Sequence, residues 1–68
     1  MYREIIENAL IATGHAEGYD PKQVEAWMRL KYGTLDALSI EDFTSEVKIA
    51  CQCIDADPIA SMELADTY

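Results

Sequence analysis

Two cysteines, one histidine and thirteen carboxylates are the groups in this 68-residue chain that could carry reactive chemistry. Cys51 and Cys53 are separated by one residue, a spacing that turns their side chains to different sides of a helix. A dithiol redox pair needs two intervening residues, and a structural zinc site needs four convergent ligands. Neither fits. Cys51 falls on an apolar face, where burial keeps a thiol inert, and it reads as a small core residue. His15 lies between glycines in Gly14-His15-Ala16-Glu17-Gly18, a loop context in which a histidine is ordinarily only solvated. No serine or cysteine stands beside a base in the manner nucleophilic catalysis requires. The residue inventory therefore argues against an enzyme and supplies no catalytic, cofactor-binding or metal-binding set.

The carboxylates allow two chemical readings, complementation of helix dipoles and calcium binding. Asp20, Glu41 and Asp42 precede or open helical segments, where they complement the helix dipole. Asp36, Asp55 and Asp57 are expected in connectors that lack the ladder of oxygen ligands a calcium loop needs. Gly14 and Gly18 are not followed by the Lys-Ser or Lys-Thr of a phosphate cradle. A short glycine-containing turn between two helices also admits a helix-turn-helix reading. The helix that would enter a groove, however, carries Glu41, Asp42 and Glu46 against Lys48 alone. With 13 acidic residues against 5 basic ones, the net charge of −8 opposes nucleic-acid phosphates and anionic lipid at long range. The cations Arg3, Lys22, Arg29, Lys31 and Lys48 are scattered along the chain. No direct nucleic-acid or membrane contact is expected.

The elements that must position these groups follow from periodicity and punctuation. Tyr2, Ile5, Ile6, Ala9, Leu10 and Ala12 recur at spacings of three and four, predicting a helix over about 2–13. Asp20-Pro21-Lys22-Gln23 joins a capping carboxylate to a proline at the first helical position, and Gly33 follows Arg29 and Lys31 as a stop; a helix over 21–32 results. Val24, Ala26, Trp27, Met28, Leu30 and Tyr32 cover more than half of its circumference, the pattern of a helix sandwiched between neighbours. Ser39 caps a third helix over about 40–54, with Leu38 and Phe43 at hydrophobic-staple spacing. Its core face is Ile40, Phe43, Val47, Ala50, Cys51 and Ile54. Asp57-Pro58 repeats the cap-and-proline signal, opening a short fourth helix over about 58–65, anchored weakly by Ile59, Met62 and Leu64, with the last residues fraying. The fold class is all-α: one domain of three helices and a short C-terminal fourth. No strand alternation, repeat or low-complexity tract occurs.

An apolar content of 50% excludes a disordered chain. The N-terminal segment interrupts its apolar residues with Glu4 and Glu7 and lacks a cleavage site, so it does not read as a secretory signal, and no run approaches membrane-span length. With two closely spaced cysteines there is no disulfide framework, and a cytoplasmic protein with reduced thiols is expected. Function then falls to surfaces. Ile11, Ile49 and Cys53 project off the core faces, with Tyr19 and Tyr32 as aromatic anchors or rim; together they form the expected partner-binding patch of a small acidic interaction module that binds another protein or itself as a homodimer. The alternative uses Glu4, Glu7, Glu41, Asp42 and Glu46 as an acidic surface that mimics nucleic acid and occupies the basic site of a nuclease, a DNA-binding regulator or a defence complex.

Overall fold

The computed structural model describes residues 2–68, and these are all helical or connecting. Four helices follow one another: α1 (Tyr2–Ala12), α2 (Pro21–Tyr32), α3 (Ile40–Ala56) and α4 (Pro58–Thr67). Their boundaries are set by local chemistry. The Asp20 carboxylate accepts a hydrogen bond from the Lys22 amide at 2.9 Å, satisfying one donor at the start of α2. Ser39 does the same for Asp42 at the start of α3. At the end of α2 the backbone turns through Gly33 at φ 76°, a left-handed conformation that a side chain would penalise, and the Gly33 amide donates back to the Arg29 carbonyl.

Asp57 serves both neighbours. Its amide closes the last turn of α3 on Cys53, and its carboxylate caps the Ala60 amide of α4. Helix α3 thus continues two residues beyond the expected end, placing Asp55 on the helix rather than in a connector, and a single residue separates it from α4.

Ile6, Leu10, Val24, Met28, Leu35, Phe43, Val47, Cys51 and Ile54 join Ala9 and Ala50 in one buried core, with Tyr2, Tyr19, Trp27 and Leu38 packed against it. Leu35 is 1% exposed although it lies in the connector between α2 and α3. The Leu38 amide donates to the Leu35 carbonyl at 3.2 Å, and this turn directs Leu35 inward. Helix α2 is in contact with α1, α3 and α4, whereas α1 and α4 do not touch. Two sides account for part of the broad apolar surface of α2: Val24 and Met28 belong to the main core and Trp27 reaches α4, whereas Leu30 and Tyr32 are exposed.

The packing of α4 departs from expectation. Ile59 and Met62 are exposed, and the buried residues are Ser61 and Ala65. Small side chains let helix axes approach closely, so α4 lies against α2 through its small face. The Trp27 indole N–H donates to Ser61 Oγ at 2.8 Å, and the Ser61 hydroxyl donates to the Asp57 carbonyl at 2.8 Å. Every polar atom of this buried contact is therefore satisfied. The helix also runs to Thr67, past the expected end at residue 65.

Ile40 is the second departure. It was expected on the core face of α3 but is 83% exposed. It occupies the first position of the helix, and the part of α1 opposite it presents Asn8, Ala9 and Ala12, which are too small to cover it.

Two substitutions separate these packing roles. Leu35→Ala should cost about 2–5 kcal/mol in urea denaturation followed by circular dichroism, the range for emptying a buried leucine site. Trp27→Phe should cost about 1–2 kcal/mol, from one lost hydrogen bond and a smaller ring. A Leu35→Ala variant as stable as the native protein would remove that connector residue from the core.

Candidate interaction surface

The five apolar and aromatic positions expected to form one patch do not line one depression: Ile11 and Tyr19 border one, Ile49 and Cys53 another. Ile11, 64% exposed, borders a depression with Glu7, Leu10, Ala16, Tyr19 and Pro21. Tyr19 is half-buried there; its hydroxyl donates to Asp55 at 2.7 Å and its ring meets His15 edge-on, with centroids 5.5 Å apart. Ile49 and Cys53 border a separate indentation with Trp27, Met28 and Glu46, only about 30 Å³ in volume and therefore about the size of one water. Tyr32 turns its hydroxyl to Glu46. The helix positions of Ile11, Tyr32, Ile49 and Cys53 were legible from periodicity; which of them share a depression is set by how the helices pack.

Glu46 does not belong to the acidic surface. It is 7% exposed, and its carboxylate accepts from Lys31 Nζ at 2.9 Å and from the Tyr32 hydroxyl at 2.7 Å. Burial acts to raise the Glu46 carboxyl, but the hydrogen bonds from Lys31 and Tyr32 and the nearby ammonium charge outweigh it, leaving the group below its ordinary value. The same hydrogen bonds hold the Lys31 ammonium and the Tyr32 phenol above theirs. The cluster ties the end of α2 to α3, and the physical reason sequence reading missed it is distance: residues 14 and 15 positions apart are joined only once the two helices are packed. Glu4, Glu7, Glu41 and Asp42 are all exposed. A second ion pair, Glu25 with Arg29 at 2.7 Å, lies along α2, and the Arg29 guanidinium also covers the Tyr2 ring.

The potentially reactive groups are not gathered. Cys51 is buried, and burial first, with the Asp55 charge second, pushes its thiol up. Cys53 is half-buried, and both thiols are free. His15 Nδ1 lies 3.1 Å from Thr13 Oγ1. Among the described residues no three His, Cys, Asp or Glu side chains converge as metal ligands, and no helix is long and apolar enough to cross a membrane.

A third surface was not anticipated. Helices α1 and α3 enclose an open groove of about 380 Å³ lined by Ile5, Asn8, Ala9, Ala12, Ile40, Phe43 and Thr44. Its floor is the buried pair Ala9 and Phe43; Tyr2 stacks on Phe43 with ring centroids 6.1 Å apart. Its walls are Ile5 and Ile40, both exposed. The Thr44 hydroxyl is already engaged, donating to the Ile40 carbonyl at 3.1 Å. The sequence pattern placed Ile5 and Ile40 within the apolar arcs of α1 and α3 and so in the core, and it held no signal that these two would stay exposed. Comparison with protein-family models, with curated proteins and with solved structures finds no match to this chain, so the functional reading rests on its own residues.

The pairing of Glu46 gives a pH test. Because its folded value is depressed, the unfolded chain takes up a proton at higher pH than the native one, and the cluster's contribution is lost as pH falls through the folded value. Lys31 and Tyr32 have raised values, so their contributions hold below their ordinary range and are lost as pH rises through the folded values. Glu46→Gln should lower the urea midpoint at pH 7, and the gap from the native protein should narrow as pH falls below the ordinary carboxylate range and the native carboxyl takes up its proton. A gap that persists unchanged into acid would mean that packing rather than charge makes Glu46 stabilising.

Proposed function

We propose that this protein is a non-catalytic binding module that engages another polypeptide through the groove between α1 and α3. The observation that carries this reading is the exposure of Ile5 and Ile40 as the two walls of a trough floored by Ala9 and Phe43. Singly exposed apolar residues are ordinary on a small protein, and Ile59 and Met62 fit that description. A concave, largely apolar surface is different, because a side chain seated in it is shielded from water on more than one side; of its two polar lining residues, Thr44 is already bonded to the Ile40 carbonyl. The dispersal of His15, Cys51 and Cys53 supports binding rather than catalysis, and the two free thiols fit a reducing, cytoplasmic setting.

The acidic surface supports a second reading, nucleic-acid mimicry toward a basic protein site. Its favouring observation is the exposure of Glu4, Glu7, Glu41 and Asp42 on a compact chain of net charge −8. Without Glu46 the surface loses the one member expected furthest along α3, and the remaining acidic groups share their helices with Arg3 and Lys48.

The two readings part on a single substitution. Native protein, Ile40→Asp and Ile59→Asp would each be immobilised and exposed to an extract of the organism that makes the protein. Groove binding predicts a partner retained by the native protein and by Ile59→Asp but lost from Ile40→Asp. Mimicry predicts a basic partner retained by all three and released by moderate salt. Retention of nothing by any of them, together with a monomer in sedimentation equilibrium, would end the module reading.

A further inference from the structure

We infer that the occupant of the groove between α1 and α3 is a cationic amphipathic helix of a different protein, seated by apolar side chains on Ile5, Ala9, Ile40 and Phe43. This rests on the reading of the protein as a binding module and names the chemistry of its partner.

Shape selects a helix. The groove is flanked on α1 by Ile5, Asn8, Ala9 and Ala12, which repeat at three and four, and is open along its length. An apolar stripe at positions i, i+3, i+4 and i+7 of an incoming helix has the same periodicity and can interleave with it. A small polar ligand finds little here: the lining holds no charged side chain, and its only polar ones are Asn8 and Thr44, the latter committed to Ile40. Small-molecule sites need a few convergent polar groups to fix orientation, and this groove does not supply them.

Charge selects the sign of the partner. Of the five cations, Arg29 is paired with Glu25 and Lys31 with Glu46, leaving Arg3, Lys22 and Lys48 against eleven carboxylates outside these two pairs. Glu4 and Glu41, the exposed neighbours of the wall residues Ile5 and Ile40, are among those eleven. A second copy of this chain brings another −8 to the same surface, so association with itself works against repulsion on both sides. A helix bearing Lys or Arg on its polar face gains from the same field, which also speeds encounter.

The probes are two synthetic helical peptides with the same leucine stripe, one with lysines on its polar face and one with glutamates, titrated into uniformly ¹⁵N-labelled protein. The lysine peptide should shift the amide resonances of Ile5, Ala9, Ile40 and Thr44, and the glutamate peptide should bind at least about tenfold more weakly. Ile40→Asp is the decisive variant. It places a carboxylate at the first position of α3, where the helix tolerates it well, and adds negative charge, so recognition by charge alone would strengthen lysine-peptide binding. Seating in the groove predicts the opposite, a loss of about tenfold or more. Binding that is unchanged or tighter in Ile40→Asp overturns the groove as the seat. Equal groove binding by both peptides overturns the cationic partner but leaves the module reading standing. A native dimer that Ile40→Asp dissociates in sedimentation would replace the foreign helix with a second copy. Binding of neither peptide by a native monomer overturns the inference, while retention of a partner in the extract experiment would still uphold the module.

Discussion

Helix α2 is the element on which the rest depends, because its apolar residues serve two contacts at once, the core shared with α1 and α3 and the seam with α4. A chain of 68 residues buries a modest fraction of its surface and cannot hold several independent cores. This one solves the problem by placing a single helix between two layers. Val24 and Met28 complete the core shared with α1 and α3, and Trp27 bridges to α4 through Ser61. The Glu46 cluster fixes the end of the same helix against α3, and the Gly33 turn lets Leu35 enter the core immediately afterwards. Removing any of these would loosen α2 against one neighbour and leave the other to hold it.

The electrostatics follow the same division between groups that are used and groups that are left over. Asp20 and Asp57 cap helices, Glu25 and Glu46 pair with cations, and Asp55 accepts from Tyr19. Each of these carboxylates has a local structural reason. Glu4, Glu7, Glu41 and Asp42 are exposed, and the last two also suit the first turn of α3 through the helix dipole. Their collective effect is a negative field, which opposes the approach of other anionic surfaces.

Much of the fold was legible because helix boundaries are written in short-range chemistry. Asp20-Pro21, Ser39, Asp57-Pro58 and Gly33 act within one turn, and each does in the structure what its type predicts. What was not legible depended on which helices become neighbours. Glu46 looks like any acidic residue on a wet face until Lys31 and Tyr32 are brought beside it. Ile40 looks like a core residue until the small size of Ala9 and Ala12 opposite it is known to leave space. Helix α4 misled for the reverse reason: its large residues suggested anchors, but a close helix contact is made with small ones, Ser61 and Ala65. The patch assigned to Ile11, Ile49 and Cys53 assumed that residues off the core faces share one surface, but Ile11 borders one depression and Ile49 and Cys53 another.

The open groove and the closed contact of α4 are two outcomes of the same small-residue device, and connection length accounts for the difference. A single residue, Asp57, joins α3 to α4, so α4 must fold back directly and its small face meets α2 with no freedom to lie elsewhere. Helix α1 is joined to α2 by eight residues, 13–20, which let it settle where Ile6 and Leu10 enter the core without requiring its Ala12 side to be covered. The large exposed side chains of α4, Ile59 and Met62, line none of the described depressions. Ile5 and Ile40 both line a concave one. An incoming apolar side chain excludes water from both walls at once only in the second geometry, which is why the groove, rather than the larger sum of exposed apolar residues, carries the functional reading.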